Sequence, residues 1–294
     1  MAEIMQKNML SIDVEDYYHV SAFEKISLPS TWGGRESRVE RNTDLILEIL
    51  DESSVKATFF ILGWVAEKFP QLSRKIAQKG HEVASHGYLH QRVALQERST
   101  YREDVRRSKG ILEDQTGLEV IGYRAPSYSI TRMTEWAFDE LLEAGYSYDS
   151  SIFPIKHDFY GIPEWPRFAG YAVQNKTGWV AKELPCETEK YIREIPITTL
   201  RLLQRNWPIA GGGYFRLLPY RVTRWGLKRI NKIEEQPFVF YTHPWEFDPQ
   251  QPRMKGCTAK SRVRHYLNLH KTQQRFKSLL KDFNFVSIAE GLNV

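Results

Sequence analysis

Two hydrophobic patterns predict the first two strands of this chain. From residue 9 onward, apolar residues alternate with polar ones, and a period of two residues is typical of a β-strand. The alternating residues are Leu10, Ser11, Ile12, Asp13, Val14 and Glu15. The pattern places Asp13 and Glu15 on one face, where their charges repel unless a cation or a shared proton compensates. Residues 56–62, KATFFIL, form instead a continuous apolar run that is typical of a strand buried on both faces.

Helical periodicity follows these predicted strands. Capping-box spacing at residues 37–40 precedes an apolar stripe that ends near Leu50, and the same spacing at residues 100–103 precedes one that ends near Leu112. Residues 65–78 predict a further single helix. The alternation of strands and helices indicates a parallel β/α architecture.

The stretch HEVASHGYLH, residues 81–90, contains a candidate metal-binding pair. His86 and His90 are four residues apart, which places them on one face of either a helix or a strand. Two unrelated surface histidines are the ordinary interpretation of this spacing, and a solvated edge strand is the ordinary interpretation of Asp13 and Glu15. The presence of both pairs in one chain favours a metal site.

Three more charged or titratable residues are predicted at strand ends: Arg124, Asp149 and His243. A guanidinium beside acids can hold a carboxylate in fixed geometry and keep it ionised, although most arginines are solvated on the surface. Residues 160–205 are rich in Pro and Trp and predict long loops with short strands. Residues 258–283 predict a basic helical segment, and a short final strand follows it.

Composition and charge are those of a folded protein. The chain has 294 residues, 41% hydrophobic content and a net charge of +5, a mild bias that does not require an acidic partner. Cys186 and Cys257 form no CxxC pair, so neither a disulfide framework nor a thiolate zinc site is indicated. The longest apolar run, residues 57–66, is too short to span a bilayer, and no apolar core of signal-peptide length is seen. We therefore expect a cytoplasmic protein, and an exported form whose leader has been removed is the alternative.

The order of these motifs resembles the NodB-homology polysaccharide deacetylases, carbohydrate esterase family 4. HGYLH, at His86 to His90, matches the HxxxH ligand motif, and RAPSY, from Arg124, is similar to the family's third motif. SIDVED, which contains Asp13, looks like a variant of the first motif. The resemblance implies an α/β fold, a distorted (β/α)7 barrel, as a single domain over residues 1–294. The GGGYFR stretch and residues 251–294 look like the C-terminal extension of deacetylases from exopolysaccharide gene clusters.

The resemblance also implies a role for each candidate residue. Glu15, His86 and His90 would bind a divalent metal ion, with Zn²⁺ expected, although Asp16 is a rival for the carboxylate ligand. Asp13 would be the catalytic base and Arg124 would fix it. His243 would be the proton donor, oriented by Asp149. Ser127 and Tyr128 would bind the substrate. Trp245 is an aromatic residue that could stack on a sugar ring, although core packing is the ordinary interpretation.

The implied activity is removal of N-acetyl groups from N-acetylhexosamine units of a bacterial polysaccharide or its lipid-linked precursor. No nucleic-acid partner is expected, while the basic tail suits peripheral contact with an anionic membrane surface. Two alternatives stay open, namely deformylation of a lipid-phosphate-linked aminosugar and carbohydrate binding without catalysis. A zinc protease is disfavoured because His81 and His86 are five residues apart, about 140° on a helix. A glycosidase is disfavoured because two same-face carboxylates of one strand do not flank a bond.

Overall fold

The computed structural model describes residues 6–157 and 160–293. The chain divides into two compact units. The first comprises Met1–Phe59, Gln78–Glu82 and Ile209–Val294, and the second comprises Phe60–Ala77 and Val83–Pro208. No helix among the described residues is long and apolar enough to cross a bilayer.

Strands and helices alternate along much of the chain, as the sequence predicts. The strands are β1 (Lys7–Val14), β2 (Thr58–Ile61), β3 (Glu82–Ser85), β4 (Gly122–Tyr123), β5 (Tyr148–Asp149), β6 (Gly170–Asn175), β7 (Gly178–Lys182), β8 (Tyr191–Glu194), β9 (Thr199–Leu202), β10 (Arg205–Pro208), β11 (Val239–Thr242) and β12 (Asn284–Val286). The helices are α1 (Pro29–Trp32), α2 (Val39–Glu52), α3 (Gly63–Lys68), α4 (Pro70–Gln78), α5 (Arg98–Thr116), α6 (Ala137–Glu143), α7 (Gly212–Leu217), α8 (Tyr220–Ile233), α9 (Ala259–Tyr266), α10 (Leu269–Asp282) and α11 (Ile288–Leu292).

The sheet of the first unit is built on β1. Both β11 and β12 pair with it in parallel, and Met9 lies opposite Val239 of β11 and Val286 of β12. Every residue of β1 from Asn8 onward is buried. Both faces of the strand are therefore covered, as is usual in parallel sheets, and the interpretation of a solvated edge strand is wrong.

The sheet of the second unit aligns four strand ends. β3, β4, β5 and β8 are parallel neighbours, β8 pairs antiparallel with β6, and β6 forms a hairpin with β7. The register places one residue of each parallel strand in a single row: Ser85, Tyr123, Asp149 and Glu194. Because parallel strands end at the same edge, residues that follow this row leave the sheet together. His86 and Arg124 are two of them.

Two local predictions about helices are wrong. The helix predicted over residues 65–78 is two helices, because Pro70 keeps Phe69 out of the helical conformation and begins α4. The predicted capping boxes are also absent: α2 begins at Val39 and α5 at Arg98, and neither has a side-chain hydrogen bond from its own N-cap residue.

The later part of the chain agrees with its predicted character. Residues 160–205 contain the β6–β7 hairpin and the two-residue turn between β9 and β10, where Leu203 and Gln204 both have positive φ. The basic tail is helical, and Asn268, with a left-handed φ of 54°, separates α9 from α10.

Candidate active site

The first unit brings four of the candidate residues together. β1 ends at Val14, and Asp13 and Glu15 are only 1% and 2% exposed. The Nε2 atom of His243, which follows β11, lies 3.8 Å from Oδ2 of Asp13 and 3.6 Å from Oε1 of Glu15. The indole N–H of Trp245 donates a hydrogen bond of 3.1 Å to the same Glu15 oxygen. This part of the molecule therefore combines two buried carboxylates with one imidazole.

Asp16, the rival for the ligand role, has a structural role instead. One carboxylate oxygen, Oδ2, accepts hydrogen bonds from the hydroxyl of Ser37 and from the backbone N–H groups of Arg38 and Val39 at the start of α2. The other accepts from the N–H of Tyr17. Burial raises the pKa of Asp16, and these hydrogen bonds act in the opposite direction. Asp16 thus caps α2, although it lies 23 residues before the start of that helix. Because its oxygens are engaged in this cap, Glu15 is favoured as the ligand.

The hydrogen-bond partner of His243 is not the predicted one. Its Nδ1 donates to Oε1 of Glu246 at 2.7 Å, and the other oxygen of Glu246 accepts from Nε of Arg216 at 2.5 Å. The prediction that Asp149 orients His243 is therefore wrong. The signal for Glu246 in the sequence is its spacing of three residues from His243, which brings the two side chains together in a short 3₁₀ turn.

Glu246 lies between two cationic side chains, Arg216 and His243, and forms an ion triad with them. Burial alone would raise the pKa of Glu246, but the charges of Arg216 and His243 lower it to about 2. Burial likewise opposes protonation of His243, yet the hydrogen bond to Glu246 and the nearby carboxylates raise its pKa to about 9. In the protein as described, His243 is therefore a protonated imidazole near neutral pH.

Trp245 does not fit its predicted role of stacking on a sugar. Its ring stacks on His243, with 5.2 Å between ring centroids, and on His265, with 4.2 Å between centroids. Only 6% of Trp245 is exposed. This packing leaves little indole surface for a ligand, so Trp245 supports the imidazole instead.

In the second unit, His86 and His90 lie on one side of a tight loop after β3. Their ring centroids are 5.3 Å apart. Nδ1 of His86 is 2.8 Å from the carbonyl oxygen of Arg124. In the tautomer with the proton on Nδ1, His86 donates to this carbonyl, and the lone pair of Nε2 can bind a metal. His86 is buried, and His90 is half-buried with a φ of 51°.

Asp104 of α5 holds this loop and was not found from the sequence. Its carboxylate accepts hydrogen bonds from the backbone N–H of Tyr88 at 2.8 Å and of Leu89 at 3.2 Å. A Cβ atom at Gly87 would lie 2.9 Å from the same carboxylate, and Gly87 has a φ of 72°. The glycine is therefore required for the loop to approach α5 with this backbone.

Arg124 is fully buried, which excludes its interpretation as a solvated arginine. Nε donates to the carbonyl of Ser150 at 3.1 Å, and Nη2 donates to the Ser150 hydroxyl at 2.9 Å. The guanidinium carbon lies 4.1 Å from the ring centroid of Phe60. These contacts fix the arginine at the end of β4.

Ser127 and Tyr128 form a strained turn after Arg124. Both have left-handed backbones, with φ of 57° and 54°. The N–H of Tyr128 donates to the carbonyl of Ala125 at 3.0 Å. The Tyr128 N–H is therefore already engaged within the turn.

Asp149 belongs to a buried pair of carboxyls in the same unit. Its oxygens accept from the hydroxyl and N–H of Ser151, and it makes a side-chain hydrogen bond with Glu194, the next residue in the cross-strand row. Burial raises the pKa of Asp149 to about 6. Burial also raises the pKa of Glu194 well above its ordinary value, and the negative charge of Asp149 raises it further. Both shifts are in the direction that keeps a proton in the pair. No spacing in the sequence could have revealed this contact.

Comparison with protein families divides the chain into two matches. Residues 30–148 match the model described as polysaccharide deacetylase, and residues 150–293 match a domain of unknown function, DUF3473. The first match contains the histidine loop and Arg124. The second match contains Glu194, Arg216, His243 and Glu246.

Curated relatives match parts of the chain. A peptidoglycan-N-acetylglucosamine deacetylase of Bacillus cereus is 35% identical over 99 residues, which are 33% of this chain and 36% of that protein. A peptidoglycan deacetylase-like protein of Gibberella zeae is 32% identical over 209 residues, 69% of this chain and 58% of that protein. The chain thus spans between about a third and three fifths of the length of these relatives.

Solved structures confirm the predicted fold class. A Mycobacterium smegmatis protein provisionally assigned as a polysaccharide deacetylase has a TM-score of 0.59 at 16% identity, covering 100% of this chain and 92% of that one. The PuuE allantoinase has a TM-score of 0.58 at 15% identity, covering 97% of this chain and 88% of that one. At these identities the likeness concerns the fold, which is the NodB-type α/β fold.

The Asp149–Glu194 pair predicts a particular dependence of stability on pH. Since the folded-state pKa values are raised, the folded protein binds more protons than the unfolded one, and stability falls as pH rises from about 4 through about 6. Gln at position 194 can keep the hydrogen bond without a proton. Between pH 5 and pH 8, we expect the free energy of unfolding to fall by about 1–2 kcal/mol more in wild type than in Glu194→Gln.

Urea unfolding curves of both proteins at the two pH values measure this difference. Glu103→Gln, which changes an exposed carboxyl on α5, is the matched control and should leave the pH dependence unchanged. If wild type and Glu194→Gln change in parallel, the pair does not hold a proton.

Proposed function

Because the chain belongs to the NodB-type polysaccharide deacetylases, we propose that it is a metal-dependent hydrolase that removes N-acetyl groups from the N-acetylhexosamine units of a polysaccharide. The observation that carries the proposal is the histidine pair of the second unit, His86 and His90, whose ring centroids are 5.3 Å apart and in which a backbone carbonyl holds Nδ1 of His86. We propose Glu15 as the third ligand.

The donor set fits a zinc ion. Two neutral imidazoles and one carboxylate are a known ligand set of catalytic zinc, and three protein ligands leave a coordination position open. The bond from His86 Nδ1 to a backbone carbonyl is the outer contact that commonly fixes the tautomer of a metal-binding histidine. When bound, a divalent ion would act as a Lewis acid that polarises the acyl carbonyl and activates water.

The protein's own groups would handle the protons. Asp13 would accept the proton of the attacking water, with Arg124 and Asp149 as supporting residues. His243, protonated and held at Nδ1 by Glu246, would donate its Nε2 proton to the leaving nitrogen, because an unprotonated amine is a poor leaving group. The N–H of Ser127 would stabilise the charge that develops on the carbonyl oxygen.

The substrate class rests on the relatives. Peptidoglycan deacetylases and a chitooligosaccharide deacetylase are among them, which supports an N-acetylglucosamine-containing polymer as substrate. A lipid-linked precursor, a formylated lipid-linked aminosugar and binding without catalysis are the remaining alternatives.

Release of acetate from N-acetylglucosamine oligomers tests the proposed reaction. We expect release by the purified protein, loss of release after treatment with a chelator, and recovery when Zn²⁺ is restored, because the ligands remain intact. Release that is insensitive to the chelator would contradict metal dependence. Stoichiometric zinc without release from oligomers, peptidoglycan or a formylated lipid-linked sugar would instead identify a binding protein.

Three carboxylates in one short stretch allow a matched test of the ligand assignment. Glu15→Gln should lose stoichiometric zinc, whereas Asp16→Asn should keep zinc and lower the free energy of unfolding by about 1–2 kcal/mol, since it weakens the α2 cap. Asp13→Asn should keep zinc and lose turnover, and His86→Ala should lose both. Metal analysis and urea unfolding measure these outcomes. Loss of zinc in Asp16→Asn but not in Glu15→Gln would reverse the assignment.

Contact with an anionic membrane surface is a further proposal, and helix α8 supports it better than the tail. Residues 220–233 contain five basic and no acidic residues, an excess equal to the net charge of +5 of the whole chain. Arg221, Trp225, Lys228 and Lys232 lie on one stripe opposite the buried face, and Trp225 is 51% exposed. An exposed indole among basic residues suits a lipid headgroup region.

Co-sedimentation with phosphatidylglycerol vesicles measures this contact. The double substitution Lys228→Gln and Lys232→Gln should reduce binding about tenfold or more, since each basic residue near an anionic surface contributes about 1 kcal/mol. Lys255→Gln with Lys260→Gln removes the same charge from exposed positions near and within α9 and should have little effect. Wild-type binding that is equal on phosphatidylcholine vesicles, or absent from both, would contradict the proposal.

A further inference from the structure

Arg216 is a buried arginine whose contacts begin at the carboxylate beside His243. It is 2% exposed and lies in α7, in the GGGYFR stretch. Besides the bond from Nε to Glu246, Nη1 donates to the carbonyls of His265 and Leu267 at 2.9 Å each, and Nη2 donates to the carbonyl of Arg264 at 3.2 Å. One side chain thus joins the end of α9 to Glu246.

The carbonyls that accept from Arg216 are those that a helix end leaves unpaired. The last carbonyl groups of α9 have no partner within the helix, and a cation is favoured there. A planar guanidinium can donate to these carbonyls and to a carboxylate in fixed directions, which an ammonium group cannot do. The orientation of the Glu246 carboxylate is therefore set by Arg216 at one oxygen and by His243 at the other.

The glycines before Arg216 allow α7 to approach β11, the strand that His243 follows. Gly211 has a φ of 116° and bridges to Tyr241, and a Cβ atom there would lie 2.1 Å from the Tyr241 carbonyl oxygen. A side chain other than hydrogen does not fit. The three-glycine run thus supports close packing of backbone, which brings Arg216 within reach of Glu246.

We propose that Arg216 is the positioning residue for the proton donor His243, acting through Glu246, and that the region matched to a domain of unknown function is thereby part of the catalytic apparatus. The inference rests on the proposed function. In the proposed reaction, the proton on Nε2 of His243 goes to the leaving nitrogen as the carbon–nitrogen bond breaks, and the electron pair of that bond stays on nitrogen. Without Arg216, Oε2 of Glu246 loses its hydrogen-bond donor, so the carboxylate can rotate about its Oε1 contacts and the imidazole is no longer held in one orientation.

A comparison of leaving groups separates this role from a structural one. An amide needs a proton donor for its amine, whereas the 4-nitrophenolate of 4-nitrophenyl acetate leaves without one. Arg216→Met should therefore lower kcat for N-acetylglucosamine oligomers by about 10- to 100-fold, part of what a general acid contributes. It should leave KM, zinc content and the rate on the aryl ester within about twofold of wild type. Arg216→Lys, which keeps the charge but not the planar fork, should be intermediate.

Arg275→Met is the matched control. Arg275 also donates to three backbone carbonyls, those of Phe215, Arg216 and Leu218, but makes no bond to a carboxylate of the site. Its substitution should lower stability without distinguishing amide from ester. Equal loss on both substrates in Arg216→Met would show a structural role and overturn the proposal.

Two further measurements do not depend on a fully active or fully stable Arg216→Met protein. In a His243→Ala background, Arg216→Lys should have no additional effect on kcat, because the group it positions is absent; an additional loss would overturn the proposal. The His243 Nδ1 proton, assigned by its absence in His243→Ala, should give a downfield NMR signal that shifts in Arg216→Lys. An unchanged signal would contradict the proposal, and this readout stands even if wild type releases no acetate, which would refute the proposed function alone.

Discussion

A buried charge must be neutralised by partners in fixed geometry, and the candidate residues of this protein depend on that constraint. Glu246 and Arg216, 1% and 2% exposed, each have more than one partner that defines their direction. Removing one member of such a set leaves the others charged and desolvated, which costs several kcal/mol. The same contacts that stabilise the interior of the first unit thus orient its imidazole.

The second unit obeys the constraint in a different way. Asp149 and Glu194 are brought together by strand register, and burial raises the pKa of both carboxyls. Arg124, at the end of the adjacent strand, donates hydrogen bonds to the carbonyl and hydroxyl of Ser150, which replace part of its lost hydration. Register between short parallel strands therefore decides which polar groups meet, because each strand contributes one residue to the row.

The candidate site was predictable where the chemistry lies within one motif. His86 and His90 are close because four residues separate them in a turn, and Asp13 and Glu15 because they flank a strand end. The wrong prediction concerns His243, which bonds Glu246, three residues later in a 3₁₀ turn, rather than Asp149. The role of Asp16 was left open by the sequence, because it depends on a helix that begins 23 residues later in the chain.

The sequence by itself determined the α/β character, most of the strand ends and the identity of the histidine pair, since hydrophobic period and motif spacing are local properties. It also predicted the basic helical tail. Only the tertiary structure decided the orientation of the site: Arg216 with Glu246, Asp149 with Glu194, and the packing of Trp245 between other rings. These contacts join residues that are distant along the chain or whose directions depend on the backbone, and their geometry exists only after the strands have paired and the charges have been buried.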